Sequence, residues 1–159
     1  MASLRTLTMA AFGWFNPNIH PYTEYRSRRD ALRTYARLVH MPLIEEDTYG
    51  LRDFVRAVAE DIDGRCGYCY QVRLEKTAQE AAARGFSAFS TSLLISPYQQ
   101  HERIARIGRA MGEKYGVTFV YRDFRPLFRD GQQRARDLGL YMQKYCGCVF
   151  SEEEKYRKF

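Results

Sequence analysis

Short apolar runs alternate with longer amphipathic stretches along this chain. Residues 10–15 are apolar and end at Asn16-Pro17-Asn18, which predicts a buried strand and a turn. His20-Pro21-Tyr22 continues as loop. Thr23 is placed as the N-cap of a helix reaching His40, with Leu32, Tyr35, Ala36 and Val39 at helical spacing. Residues 42–46 predict a second strand, and residues 51–60 a helix with Phe54, Val55 and Val58 inward. Asp61-Ile62-Asp63-Gly64 breaks it, and a third helix runs to about Ala83 with Gly85 as its cap. Residues 86–92 predict a third strand, 98–115 a helix capped by Gly116, and 117–121 a fourth strand. Arg122 to Pro126 reads as a polar loop, Asp130 as the cap of a helix to Leu138, and Ser151-Glu152-Glu153-Glu154 as a capping-box start to a last helix.

Strands alternating with helices of these lengths predict an α/β fold, a mostly parallel sheet flanked by helices, in a single domain over residues 1–159. In such folds sites gather beyond the carboxyl ends of the strands. Asn16, Asn18, His20, Ser90, Thr91, Ser92 and Asp123 all fall at predicted strand ends, so the pattern places polar residues along one edge.

Charge adds a partner class. The formal net charge is +6, which suits a polyanion such as nucleic acid or simply a basic surface. Arg28, Arg29, Arg33 and Arg37 lie mostly off the apolar face of the first helix. They read as a solvated surface or as a face that tracks phosphates. No apolar run reaches membrane-spanning length. Residues 1–12 are mildly apolar, a weak leader candidate running into the first strand, and the chain reads as cytoplasmic.

In that compartment paired cysteines point to metal or redox chemistry. The chain has four cysteines, Cys66-x-x-Cys69 opening a helix and Cys146-Gly147-Cys148 far downstream. Cys66 and Cys69 lie about one turn apart, so both can face one metal or each other, and a helix N-terminus favours thiolate. All four could form a zinc site; the first pair could serve an iron–sulfur cluster with two further ligands; either pair could exchange disulfides; or all four could be inert thiols. A disulfide within Cys-x-Cys closes a small, strained ring. Of the histidines, His40 reads as a helix C-cap, His101 as solvated on a polar face, and His20 as the best candidate for a site. There is no G-x-G-x-x-G and no Walker A motif.

Five blocks resemble a known family. They are Phe15-Asn16-Pro17-Asn18-Ile19-His20-Pro21-Tyr22-Thr23-Glu24-Tyr25; Arg65-Cys66-Gly67-Tyr68-Cys69-Tyr70 with Arg73-Leu74; Thr91-Ser92-Leu93-Leu94-Ile95-Ser96-Pro97-Tyr98; Tyr121-Arg122-Asp123-Phe124-Arg125-Pro126; and residues 141–151 around Lys144-Tyr145-Cys146-Gly147-Cys148. In this order they resemble the QueH-type epoxyqueuosine reductases. The resemblance implies reduction of epoxyqueuosine to queuosine in the anticodon loop of tRNA, and a fold like the adenine-nucleotide α-hydrolase (HUP-like) group. By the resemblance Cys66 and Cys69 match two ligands of a [4Fe–4S] cluster, with room for an additional iron, and Cys146 and Cys148 match a redox-active disulfide. His20 and Asp123 are candidates for substrate binding. The implied partners are tRNA carrying epoxyqueuosine and an unidentified electron donor, with no membrane. The family opens with a strand and an adjacent cysteine pair supplying the other two cluster ligands. No cysteine precedes Cys66, so the chain is expected to be N-terminally truncated and to hold two of four ligands. The alternatives are a zinc-stabilised nucleic-acid-binding module with a four-cysteine site and an inactive remnant of the reductase.

Overall fold

The computed structural model describes residues 10–157; most of the leader candidate lies outside them. Strand β1 (Phe12–Trp14) leads through helix α1 (Tyr22–Leu38) to β2 (Leu43–Glu45). The two strands pair in parallel, Phe12 opposite Leu43 and Trp14 opposite Glu45. Helices α2 (Leu51–Val58) and α3 (Arg65–Ala83) follow. Strand β3 (Ala88–Phe89) leads through a 3₁₀ turn, Ser92–Ile95, and helix α4 (His101–Tyr115) to β4 (Thr118–Phe119), again parallel. A second 3₁₀ turn, Arg125–Leu127, then α5 (Phe128–Asp137) and α6 (Val149–Tyr156) complete the described elements.

The α/β class is the one that the alternation predicts. The sheet differs: among the described residues it is two separate two-stranded parallel sheets. Periodicity reports that each strand is buried and that a helix returns the chain in parallel; it does not report which strand pairs lie edge to edge.

Helix α3 joins the two halves. Its Tyr70, Leu74 and Ala78 pack with Ile104 and Met111 of α4 and with the rings of Phe89 and Phe119. From the same helix Lys76 reaches Glu46, just beyond β2, at 2.5 Å. The first half has its own small core of Trp14, Ile19 and Tyr25. The Trp14 indole donates to Tyr25 Oη at 3.1 Å, and Tyr25 donates to Asp47 at 2.8 Å.

Several element starts move. Helix α1 begins at Tyr22 with Pro21 as N-cap instead of Thr23, and the Pro21 carbonyl takes the Tyr25 N–H at 3.0 Å. Pro21 has the extended backbone of an N-cap, φ −70° and ψ −173°, and its missing N–H costs the helix nothing at that position. Val39 is the C-cap of α1, and His40 occupies the left-handed position after it, with φ 53°. Helix α4 begins at His101, since residues 92–95 form the 3₁₀ turn, Ser96 an extended exit, and Pro97-Tyr98 a turn. Asp130 lies inside the first turn of α5 and pairs with Arg134 at 3.2 Å, one turn on, instead of capping.

Candidate active site

Helix α3 starts at Arg65, so Cys66 and Cys69 sit on its first turn and a half, both partly buried. Asp61 Oδ1 accepts the Gly64 N–H at 3.0 Å and fixes the turn that launches the helix. The helix start brings positive charge of its own. Arg73 Nη1 donates to Cys69 Sγ at 3.9 Å. The Arg103 guanidinium of α4 lies over Gly67, where a side-chain carbon would come within 2.5 Å of Arg103 Nη2. That close approach is what the glycine in Cys-Gly-Tyr-Cys permits. The expectation that the helix terminus lowers these thiols is overturned: burial pushes both Cys66 and Cys69 up, against the opposing pull of Arg65 and Arg73 respectively.

The thiolate-favouring position belongs to the other pair. Cys148 is the N-cap of α6, and its Sγ accepts the Ser151 N–H at 3.3 Å. Ser151, read from sequence as the cap, is the third residue of the helix and faces back. Its Oγ lies 2.8 Å from Cys146 Sγ and 3.4 Å from Cys148 Sγ. Cys148 is held below the usual thiol range, chiefly by a hydrogen bond from the Cys146 thiol, with Ser151 and Arg65 adding to it against the cost of burial. Cys146 moves the other way for the same reason, keeping its proton beside the Cys148 charge. Cys146 is exposed and Cys148 buried.

The two pairs are neighbours. Cys148 packs with Phe54 and Val58 of α2, and Tyr68 and Cys69 of α3 close over the same cluster. Arg65 ties α3 to α6 through Glu154 at 2.8 Å and lies over the Phe150 ring at 5.7 Å. Arg65 Nε is buried and lacks a hydrogen-bond partner. Among the described residues no three His, Cys, Asp or Glu side chains converge as a metal site, so the four-thiolate zinc arrangement is not formed.

His20 is fully buried. Its Nε2 donates to Pro17 O at 2.8 Å and its Nδ1 accepts the Val149 N–H at 3.2 Å, so the ring faces the cysteine loop with both nitrogens engaged. Asp123 is on the surface just beyond β4, its carboxylate held at 2.8 Å by Arg125 and lowered to about 2 by that hydrogen bond. His101 is not solvated as expected: it is 7% exposed, with Nε2 2.9 Å from Ser96 O. The polar edge also divides. Ser90 Oγ donates to Val120 O at 2.8 Å and Thr91 Oγ1 accepts the Leu93 N–H at 3.2 Å, while Asn16 and Asn18 are buried beside the first half. Arg65, Arg103 and Ser151 were not read from sequence as site residues. The Cys148-x-x-Ser151 spacing, that of a cap to the third helical residue, was the available signal for Ser151.

Arg73 and Arg103 lie beside the first cysteine pair and Arg65 beside the second. The sequence profile of the family described as Epoxyqueuosine reductase QueH matches residues 1–154. The chain belongs to this family. The QueH epoxyqueuosine reductase of Dehalococcoides mccartyi is 41% identical over 145 residues, covering 91% of this chain and 80% of that protein. That of Thermotoga maritima is 40% identical over 158 residues, covering 94% and 82%. A longer QueH relative from Helicobacter pylori is 33% identical and matched over 40% of its length.

Proposed function

We propose that this chain reduces epoxyqueuosine to queuosine in the anticodon loop of tRNA, as one reductase domain over residues 1–159 acting in the cytoplasm. The observation that carries the proposal is the apposition of the α6 cap cysteine to the first turn of α3, in a chain that matches the reductase family over residues 1–154. Among the described residues no helix is long and apolar enough to cross a membrane. The two strand–helix–strand units support a HUP-like arrangement, since parallel βαβ pairs are the units of doubly wound sheets.

Loss of the epoxide oxygen as water consumes two electrons and two protons. Closing the Cys146 thiol and the Cys148 thiolate into a disulfide releases two electrons and one proton, and solvent supplies the second proton, so one cycle of the pair balances one epoxide. Cys146, exposed and protonated, is the thiol that meets the substrate; Cys148 holds the complementary thiolate, with Ser151 and Arg65 stabilising it. An external donor then returns the pair to the dithiol. Asp123 offers an exposed carboxylate to the substrate edge, and His20 enters through its hold on the loop at Val149.

Cys66 and Cys69, one turn apart with Arg73 and Arg103 beside them, fit two corners of an anionic [4Fe–4S] cluster, and an additional iron would need ligands beyond these two. Such a cluster, when bound, supplies electron relay or Lewis acidity toward the epoxide oxygen. Iron and acid-labile sulfide after anaerobic reconstitution test this assignment. In a version of the protein that carries the family's N-terminal cysteine pair, near-stoichiometric cluster, lost in Cys66→Ala and in Cys69→Ala, is the expected result; retention in either variant contradicts the ligand assignment.

A further inference from the structure

Arg28 sits on α1 where the sequence pattern reads a solvated or phosphate-tracking face, yet it is 9% exposed. Its Nε donates to Glu24 Oε1 one turn back at 2.7 Å. Its other two nitrogens leave the helix: Nη1 donates to Cys146 O at 2.9 Å and Nη2 to Tyr145 O at 2.7 Å. Glu24 is itself buried, and its second oxygen accepts the Tyr141 hydroxyl. The guanidinium also lies over the Tyr145 ring, 5.3 Å from its centre.

The next residues are held just as fully. Gly147 O accepts the His20 N–H at 2.8 Å, and Cys148 O accepts from Ser151 Oγ at 2.9 Å and from the Glu152 N–H at 3.1 Å. Four successive carbonyls, Tyr145 to Cys148, therefore each have a donor. Gly147 has φ 138°, and a side-chain carbon there would lie 3.1 Å from Ile19 Cγ1 and 3.2 Å from Arg28 Nη1. The loop is thus seated tightly against Arg28, in a backbone conformation that favours glycine at 147.

We propose that Arg28, aligned by Glu24, is a positioning residue that holds the Cys146-Gly147-Cys148 backbone in the turn from which its two sulfurs close a disulfide. The proposal rests on the reading of this pair as redox-active. A Cys-x-Cys ring closes only from a narrow range of backbone shapes. A planar guanidinium that donates to two consecutive carbonyls selects one shape, which a flexible point charge such as lysine does not. Both sulfurs already flank Ser151 Oγ, so the selected shape places them side by side. Holding them there raises the effective concentration of one thiol at the other and favours the closed form.

The test is redox equilibration of the full chain, anaerobically, in glutathione buffers. An S–S bond forms between Cys146 Sγ and Cys148 Sγ, the S–S bond of glutathione disulfide breaks, and two electrons pass with the Cys146 proton and one proton from the buffer to give two glutathione thiols. Alkylation and mass analysis of the tryptic peptide 145–155 reads this pair apart from Cys66 and Cys69. Arg28→Met is expected to make closure about tenfold less favourable, a shift of about 30 mV toward oxidising potential. Arg28→Lys is expected to recover only part of it. Leu74→Ala, which loosens the distant α3–α4 core, is expected to lower thermal stability and leave the midpoint where it was. Should Arg28→Met not fold, Glu24→Gln carries the test, with a smaller shift in the same direction. An unshifted midpoint in the Arg28 and Glu24 variants, or an equal shift in Leu74→Ala, overturns the proposal while leaving the pair redox-active. Two alkylated thiols in the native chain at every poise overturn the redox reading and the proposal with it.

Discussion

A buried imidazole wedged between Pro17 O and the Val149 N–H has a defined protonation state. Nε2 carries the proton and Nδ1 must stay bare, because a second proton there would face an N–H donor. Burial lowers the His20 pKa below its usual 6.5, outweighing the hydrogen bond to Pro17. As pH falls through that value the unfolded chain takes up the proton first, so stability present above it is lost on acidification. Thermal unfolding between about pH 7.5 and about pH 5.5 should show a falling Tm, and His20→Gln should flatten the fall. Equal slopes in the two proteins would contradict the assignment. Sequence reasoning marked His20 and all four cysteines at this scale, since loop position and close spacing are readable. It missed the electrostatics of the thiols because burial is not local. The helix terminus at Cys66 is visible in sequence, whereas the packing of Phe54, Tyr68 and Phe150 that surrounds the cysteines is tertiary.

Among elements, α4 and β4 meet through a glycine pair one turn apart. A methyl on Gly108 would come within 2.6 Å of the buried Phe119 ring, and one on Gly112 within 2.5 Å of the Val117 carbonyl. The second obstacle is backbone and cannot rotate away. Gly112→Ala should therefore destabilise the fold by about 1–3 kcal/mol despite alanine's better helix propensity. Chemical denaturation checks this, and an unchanged or higher midpoint would show that β4 is not seated on α4 as described. Most elements were legible from sequence because each has a buried stripe, such as Tyr70, Leu74 and Ala78 on α3. Their starts were less so. At α6 Ser151 and Glu154 imitate a capping box, while the true cap is a cysteine, a residue outside the usual capping set.

For the whole molecule, the positive charge is spent unevenly. Arg29 and Arg33 of α1, read from sequence as available to phosphates, pair with Asp47 at 3.0 Å and Glu45 at 2.6 Å and bind the helix to the end of β2. The excess charge of the whole chain still predicts tRNA affinity that falls linearly in log–log with salt, by roughly 0.7–0.9 per phosphate contact. Arg33→Ala should leave that slope unchanged; a slope reduced by about one in a binding titration would return Arg33 to the tRNA face. The division into two small sheets was not readable, because alternation counts strands without saying which edges meet. The candidate site was readable in its parts, as five motif blocks, but its assembly was not: that the Cys-Gly-Cys loop docks on α1 through Arg28 and against the start of α3 is a long-range fact.

The central claim is tested most directly by a single turnover. Reconstituted, fully reduced protein is mixed with epoxyqueuosine-containing tRNA without added reductant, and both the nucleoside and the peptide 145–155 are analysed by mass. Queuosine formed in step with disulfide in that peptide, and absent in Cys148→Ser, is the predicted result. Queuosine formed equally by Cys148→Ser, or none formed by the native chain while its peptide becomes oxidised, would contradict the account.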